Sequence, residues 1–310
     1  MTKHELRMFC MSQTPFTEGG DIDEEALRLH LQRLVDADNG IYLGSPGAGE
    51  GQVLSVAEHR RLFDIGVEVA KGKVPLYANP RESRSAELVY EVAKEAVAAG
   101  VDAVQLYGLA PGQVMIPSER ELEAYYRELL DEIHHPVVIS TSWMVPTPPT
   151  PSLVARLVAD YDQIIAVNAF TSDGDQFIAF RDALPDRLPL YGSFQAHGHW
   201  LLLGASGAVI AENNIIPNVA RRLLEAWSAN DLTTAGEASL LLHRLSFLMR
   251  EWFPATARPV KMALKVLGLG NGVMRKPYIL PPAADYDRLA AGLVKLRIQE
   301  IEGLAASPAR

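Results

Sequence analysis

The chain of 310 residues holds a single cysteine, Cys10, so no internal disulfide can form. That absence excludes the small disulfide-stapled folds and fits a reducing compartment, so a cytoplasmic location is expected. No apolar run approaches the roughly 18 residues that a membrane helix requires. The polar opening, Met1 to Glu5, carries no signal-peptide pattern. Basic residues are in the minority, with 29 Lys and Arg against 38 Asp and Glu, a net charge of −9 and a pI near 5.4. That balance argues against nucleic acid or an anionic membrane as a partner. Nothing resembles a P-loop. Lysine is missing altogether between Lys94 and Lys261.

What the chain does have is an ordinary globular composition, 48% hydrophobic and 22% charged, long enough to bury a large core. Length alone would permit two domains, but α/β barrels use about 250 residues as one. Short β-rich runs alternate with segments of helical period. The runs are Leu6–Met11, Ile41–Leu43, Val74–Ala78, Ala103–Leu106, Val137–Ile139, Ile164–Val167, Leu188–Tyr191 and Ala208–Ala211, eight candidate strands in all. Most are apolar on consecutive residues, as parallel strands covered on both faces should be.

The segments between them carry helix signals. Ser55 with Glu58, and Ser118 with Glu121, form capping boxes. Thr150-Pro151 puts a capping hydroxyl before a proline at the first helical position. Leu27, Leu31, Leu34 and Val35 share one helix face, and Gly100 reads as a helix stop. The alternation fits a closed parallel barrel or an open doubly wound sheet, and a full set of eight units favours the barrel. After about Asn230 the strands cease, and Ala238–Trp252, Val260–Leu269 and Tyr286–Gly303 read as helical. The expected architecture is therefore an α/β chain, a (β/α)8 TIM barrel over 1–230 with a C-terminal helical extension over 231–310.

Several separated stretches resemble the dihydrodipicolinate synthase and N-acetylneuraminate lyase family. They are Thr14-Pro15-Phe16 with Asp21-Ile22-Asp23, the glycine-rich stretch from Gly44 to Glu50, and Gly204 to Ile210 with Asn213 and Pro217. Pro259 to Leu264, with Gly268 and Arg275-Lys276-Pro277, completes the series. Each is weak alone, but together they run in order along nearly the whole chain. The resemblance implies a lyase or aldolase acting on pyruvate or a related 2-oxo acid, and a homo-oligomer, dimer or tetramer. In that family a lysine on strand six forms an imine, and a tyrosine on strand five moves protons.

Here the lysine position falls on Asn168 and the tyrosine position on Ser140. An amide has no basic lone pair, and a serine is too short and too weak an acid for the same relay. The arginine expected after strand five gives way to the stretch Trp143 to Pro149. Lys71 and Lys73 precede strand three at the wrong end of the barrel, and Lys261 and Lys265 read as lysines of a solvated helix face or as helix-end charges.

Catalytic groups of such barrels come from the C-terminal ends of strands and the loops that follow. That rule selects Ser45, Glu50, Asn79, Arg81, Tyr107, Ser140, Thr141, Asn168, Asp173, Ser193, Gln195, His197, His199, Glu212 and Asn213. The set is rich in amides and hydroxyls, suited to hold an oxygen-rich ligand by hydrogen bonds. Asn168, Ser140, Tyr107 and His197 are taken as the catalytic candidates. Ser45, Gly47, Ala48, Glu50, Thr141, Ser193, Glu212 and Asn213 are taken as substrate-binding. His197 and His199 with Glu212 have the makings of a metal site, but residues two apart at a helix start point in different directions, so no metal is assigned. No cofactor is expected. The partner implied is a small carboxylate, with neither nucleic acid nor membrane.

Two functions remain open. One is a diverged lyase- or aldolase-like enzyme acting on a small 2-oxo or oxygenated acid without the lysine imine. The other is a binding barrel that has kept the pocket and lost the chemistry. A conventional imine-forming lyase would require another register for strand six, and the missing lysines argue against it.

Overall fold

The computed structural model describes residues 5–80, 84–110, 112, 115–142, 145–193, 197–252 and 256–305, with only the backbone described at 193 and 197. Eight strands, all parallel, close into a barrel in sequence order. They are β1 (Arg7–Met11), β2 (Gly40–Leu43), β3 (Leu76–Ala78), β4 (Ala103–Leu106), β5 (Val137–Ser140), β6 (Ile164–Ala169), β7 (Leu190–Ser193) and β8 (Gly207–Ile210). Every expected strand is present, with ends displaced by a few residues.

The consecutive apolar residues divide by side-chain direction. Phe9, Tyr42, Tyr77, Ala103, Val138, Ala166, Tyr191 and Val209 fill the barrel interior. Their strand neighbours Cys10, Ile41, Leu43, Leu76, Val104, Ile139 and Val167 point outward into a second core beneath the helices. A strand with a core on each side has no wet face, which is why these runs do not alternate with polar residues. Phe9 organises the interior, its ring 4.9 Å from Tyr77 and 5.2 Å from both Tyr42 and Tyr191. Gly40 makes room for it, because a Cβ there would lie 2.4 Å from the ring. Outside, burial pushes the Cys10 thiol up, so this sole cysteine is an inert core residue.

The helices that follow the strands are α1 (Glu24–Asp36), α2 (Val56–Ala70), α3 (Ala86–Ala99), α4 (Glu119–Glu132), α5 (Pro151–Asp160), α6 (Gly174–Ala183), α7 (His197–Leu202) and α8 (Pro217–Ser228). Both capping boxes form, at Ser55 and Ser118. Thr150 caps α5 ahead of Pro151. Gly100 ends α3 in the left-handed region, where a side chain would be strained. Leu27, Leu31 and Leu34 are buried along α1, and Val35 packs against the same core.

Beyond the barrel lie α9 (Leu232–Met249), α10 (Ala257–Val266), α11 (Ala283–Lys295) and α12 (Ile298–Ile301). The reading of Tyr286–Gly303 as one helical stretch needs correction. Arg297 adopts φ 55°, a left-handed turn that breaks the helix between α11 and α12. These helices share a core with the barrel seam, where Met8, Ala208 and Ile210 pack with Leu242, Leu245, Met262 and Leu289. Among the described residues no helix is long and apolar enough to cross a membrane.

The seam itself depends on Gly207, at φ 130°, where an added Cβ would lie 1.8 Å from the carbonyl oxygen of Arg7. Replacement by alanine must move backbone in a closed ladder that cannot splay. Gly207→Ala should therefore cost about 3 kcal/mol or more, read from the urea unfolding midpoint. A loss within a few tenths of wild type would mean that the β1–β8 seam is not under this steric limit.

Candidate active site at the barrel mouth

Above the aromatic layer the interior turns polar. Asn168, near the end of β6, stands opposite Ser140 of β5 in the ladder, and both are buried. The Asn168 amide nitrogen donates to the Tyr42 hydroxyl at 2.9 Å and to the Gln105 side-chain oxygen. Gln105 donates in turn to Asn79 Oδ1 at 2.7 Å, which also accepts from the Tyr107 hydroxyl at 2.8 Å. Asn79 donates to the Leu43 carbonyl at 3.2 Å. Side chains from β2, β4 and β6, with Asn79 and Tyr107 just past β3 and β4, thus form one bonded chain across the mouth. Burial raises the phenols of Tyr42 and Tyr107 above their ordinary value, so both remain protonated donors at neutral pH.

The glycine-rich loop folds on itself at the rim. Gly49 N–H donates to Ser45 Oγ at 3.1 Å, and Thr14 Oγ1 donates to the Gly49 carbonyl at 2.7 Å. Gly51 is obligatory there, because a Cβ would fall 1.9 Å from the Gly44 carbonyl oxygen. Glu50, φ 52° and fully buried, forms an ion pair with Lys261 of α10 and accepts from Arg275 N–H at 3.2 Å. Lys261 Nζ also donates to the Val273 carbonyl at 2.8 Å and lies 4.2 Å from the Phe16 ring centroid. The Arg275 guanidinium stands 4.5 Å from the same ring and pairs with Glu58 at 2.7 Å. The loop is thereby clamped to the extension.

That clamp corrects two expectations. Lys261 is not on a solvated face, since only 2% of it is exposed. Pro259, Val260, Met262, Ala263 and Leu264 around it are buried as well, so most of α10 is enclosed, with Arg258, Lys265 and Val266 half-buried. Glu50, taken as a substrate ligand, has its carboxylate committed to Lys261 and the Arg275 backbone.

Other candidates are also held by the protein. Ala48 packs with Ala211, Val260 and Leu264, and Gly47 lies beside Thr256, so both belong to the loop–extension contact. Thr141 Oγ1 donates to the Asn168 carbonyl and accepts from Phe170 N–H, which ties the turn after β6. Glu212 accepts from the Ser246 hydroxyl of α9. Asn213 donates to Asn39 Oδ1 at 2.6 Å, a packing bond between the β8–α8 connection and the loop before β2. Asp173 caps α6. His197 opens α7 and His199 is exposed on it beside Trp200. Among the described residues no three His, Cys, Asp or Glu side chains are grouped to hold a metal. Arg81, Gln195, Trp143 and Met144 lie outside the described residues, as do the side chains of Ser193 and His197.

The structure therefore brings Asn168, Ser140 and Tyr107 together and adds Gln105 and Tyr42, which were not among the candidates. Gln105 was visible in principle. It is the one polar residue of Ala103–Leu106 and lies two residues before Tyr107, hence on the same side of the strand.

Burial lowers the Lys261 pKa from 10.5 to about 8, against the pull of Glu50. Between those two values the unfolded chain holds more protons at this site than the folded one, so stability rises with pH across the window. Compared with the double variant Glu50→Gln/Lys261→Met, wild-type unfolding free energy should climb between pH 8 and 10.5 in urea titrations. A flat or falling difference would refute the burial of a charged Lys261. Glu50→Gln alone, which strands the ammonium, should cost roughly 3–5 kcal/mol at pH 7.

Comparison with known proteins agrees with the barrel fold. The chain is 29% identical over 271 residues to the 4-hydroxy-tetrahydrodipicolinate synthase of Methanopyrus kandleri, covering 85% of this chain and 87% of that protein. It is 29% identical over 291 residues to the synthase of Rhodospirillum centenum, covering 91% and 95%. Among solved structures, a prophage protein of the dihydrodipicolinic acid synthase family from E. coli K12, in complex with pyruvate, superposes with a TM-score of 0.87 at 20% identity, covering 94% and 99% of the two chains. The dihydrodipicolinate synthase of Aquifex aeolicus superposes with a TM-score of 0.86 at 21% identity, covering 95% and 99%. The dihydrodipicolinate synthetase family matches residues 5–295, and the chain belongs to that family.

Proposed function

We propose that the protein is a lyase- or aldolase-like enzyme that acts on a small oxygenated or 2-oxo acid at the barrel mouth, without an imine on β6. The observation that carries this reading is Asn168. It lies on β6 at the C-terminal end of the barrel, buried in a chain of neutral amides and phenols. The sequence has no lysine from Lys94 to Lys261, so β4 to β8 supply no amine. The buried amine of Lys261, on α10, is engaged by Glu50, Val273 and the face of Phe16.

Enolate or alkoxide charge would then be met by hydrogen-bond donors instead of an iminium. Such donors are worth about 3–4 kcal/mol each in a dry site. The Tyr42 hydroxyl and Ser140 are the donors closest to Asn168 in the chain of bonds and in the ladder, the Tyr107 hydrogen being given to Asn79 Oδ1. Family membership supports the reaction class, because the curated relatives are named as synthases of this family.

Pyruvate and a panel of 2-oxo and hydroxy acids, each with borohydride, should leave the intact mass unchanged. In parallel, at least one small acid should raise the melting temperature, as binding to the native state requires. A stoichiometric adduct would return the protein to imine chemistry, and peptide mapping would identify the lysine. If no acid shifts the melting temperature, the mouth is not a small-acid site.

A further inference from the structure

The amide chain across the mouth has a direction, and that direction sets what a ligand must present. A primary amide offers two hydrogens on nitrogen and two lone pairs on oxygen. The chain begins at a fixed point, the Leu43 backbone carbonyl, which can only accept. Asn79 must therefore turn its nitrogen toward Leu43 and its oxygen toward Gln105 and Tyr107. Turned the other way, Asn79 would set its oxygen against the Leu43 oxygen. With Asn79 Oδ1 facing it, Gln105 presents nitrogen to Asn79 and oxygen to Asn168. Asn168 answers with nitrogen, and its second hydrogen goes to the Tyr42 hydroxyl at 2.9 Å.

Both hydrogens of Asn168 are thus spoken for, and its oxygen alone is left. Asn168 is 2% exposed, and Oδ1 accepts from no group among the described residues, Ser140 across the ladder included. A buried acceptor with no donor costs about 1–3 kcal/mol, so the site favours an occupant that donates a hydrogen bond there. A keto oxygen is acceptor-only and would meet Asn168 Oδ1 lone pair to lone pair. A hydroxyl fits. An ammonium would also donate, but the groups bonded in this chain are all neutral, and an unpaired buried cation is far more costly than a hydroxyl.

We propose that Asn168 is a specificity-determining residue that selects a 2-hydroxy acid, or the hydroxyl of a larger oxygenated acid, over the matching 2-oxo acid. This rests on the preceding assignment of the mouth as a small-acid site and narrows its ligand class.

Calorimetric titration with matched skeletons tests it: both enantiomers of lactate, pyruvate and alanine, then the same series on a four-carbon and a five-carbon dicarboxylate frame. In at least one series one hydroxy acid should bind about tenfold or more tighter than its oxo partner, because a site built around a ligand hydroxyl leaves its own acceptor unpaired when that hydroxyl is missing. In Gln105→Leu one Asn168 hydrogen is freed, the amide can turn over, and the hydroxy-to-oxo ratio should fall toward one. Gln105→Met serves the same purpose should the leucine variant fail to fold. Oxo acids binding as well as or better than hydroxy acids in every series, or alanine binding best, would overturn the selection by Asn168 while keeping the small-acid site. A hydroxy preference that survives both Gln105 variants would overturn the role of the amide chain. Binding of none of these compounds would remove the small-acid assignment and this inference with it.

Discussion

A closed barrel of eight parallel strands has a sealed interior, where a polar group left without a partner is costly. The mouth depends on how that demand is met. Below, Phe9, Tyr42, Tyr77 and Tyr191 fill the space with rings packed at about 5 Å. Above, the side chains are amides, and each is oriented by the one before it. The Leu43 carbonyl is the fixed end from which the orientations of Asn79, Gln105 and Asn168 follow. A chain of this kind is cooperative, since turning one member disturbs all the others.

A second device holds the rim. The β2–α2 loop contains glycines because its backbone doubles back to within a Cβ's width of itself at Gly44 and Gly51. Such a loop has few side chains of its own with which to pack. Glu50 supplies the anchor, and Lys261 and Arg275 of the extension receive it, both cations lying within 4.5 Å of the Phe16 ring centroid. The extension is thus a structural part of the mouth, since α10 and the segment after it fix the loop that borders the site. Removing either charge would leave the other buried, which makes the pair costly to break whatever its net worth when intact.

The chemistry available follows from these two devices. Amides do not titrate, and the buried phenols titrate well above neutrality, so the groups of this chain keep a constant charge over the physiological range. The site can position, donate and accept without gaining or losing protons of its own. Catalysis of that kind works by fixed dipoles aimed at developing charge.

The fold was legible in the chain because its signals are local. A capping box needs residues three apart, a barrel strand needs a handful of consecutive apolar neighbours, and Gly100 needs only a left-handed turn. The break at Arg297 was not, since nothing in the apolar period marks a residue forced into φ 55°. The site divides in the same way. That position 168 is an asparagine, and that no lysine lies near it in the chain, is a property of the sequence alone. Which residues that asparagine bonds to, and which of its atoms remains for a ligand, is not. Tyr42, Asn79, Gln105 and Asn168 are spread over more than a hundred residues and meet only because the strands close on themselves. Lys261 gives the sharpest contrast. By itself a helical lysine belongs in water, because its charge is strongly solvated. Only the packing of α10 against the glycine loop, with Glu50 presented at the right point, makes burial of that charge tolerable.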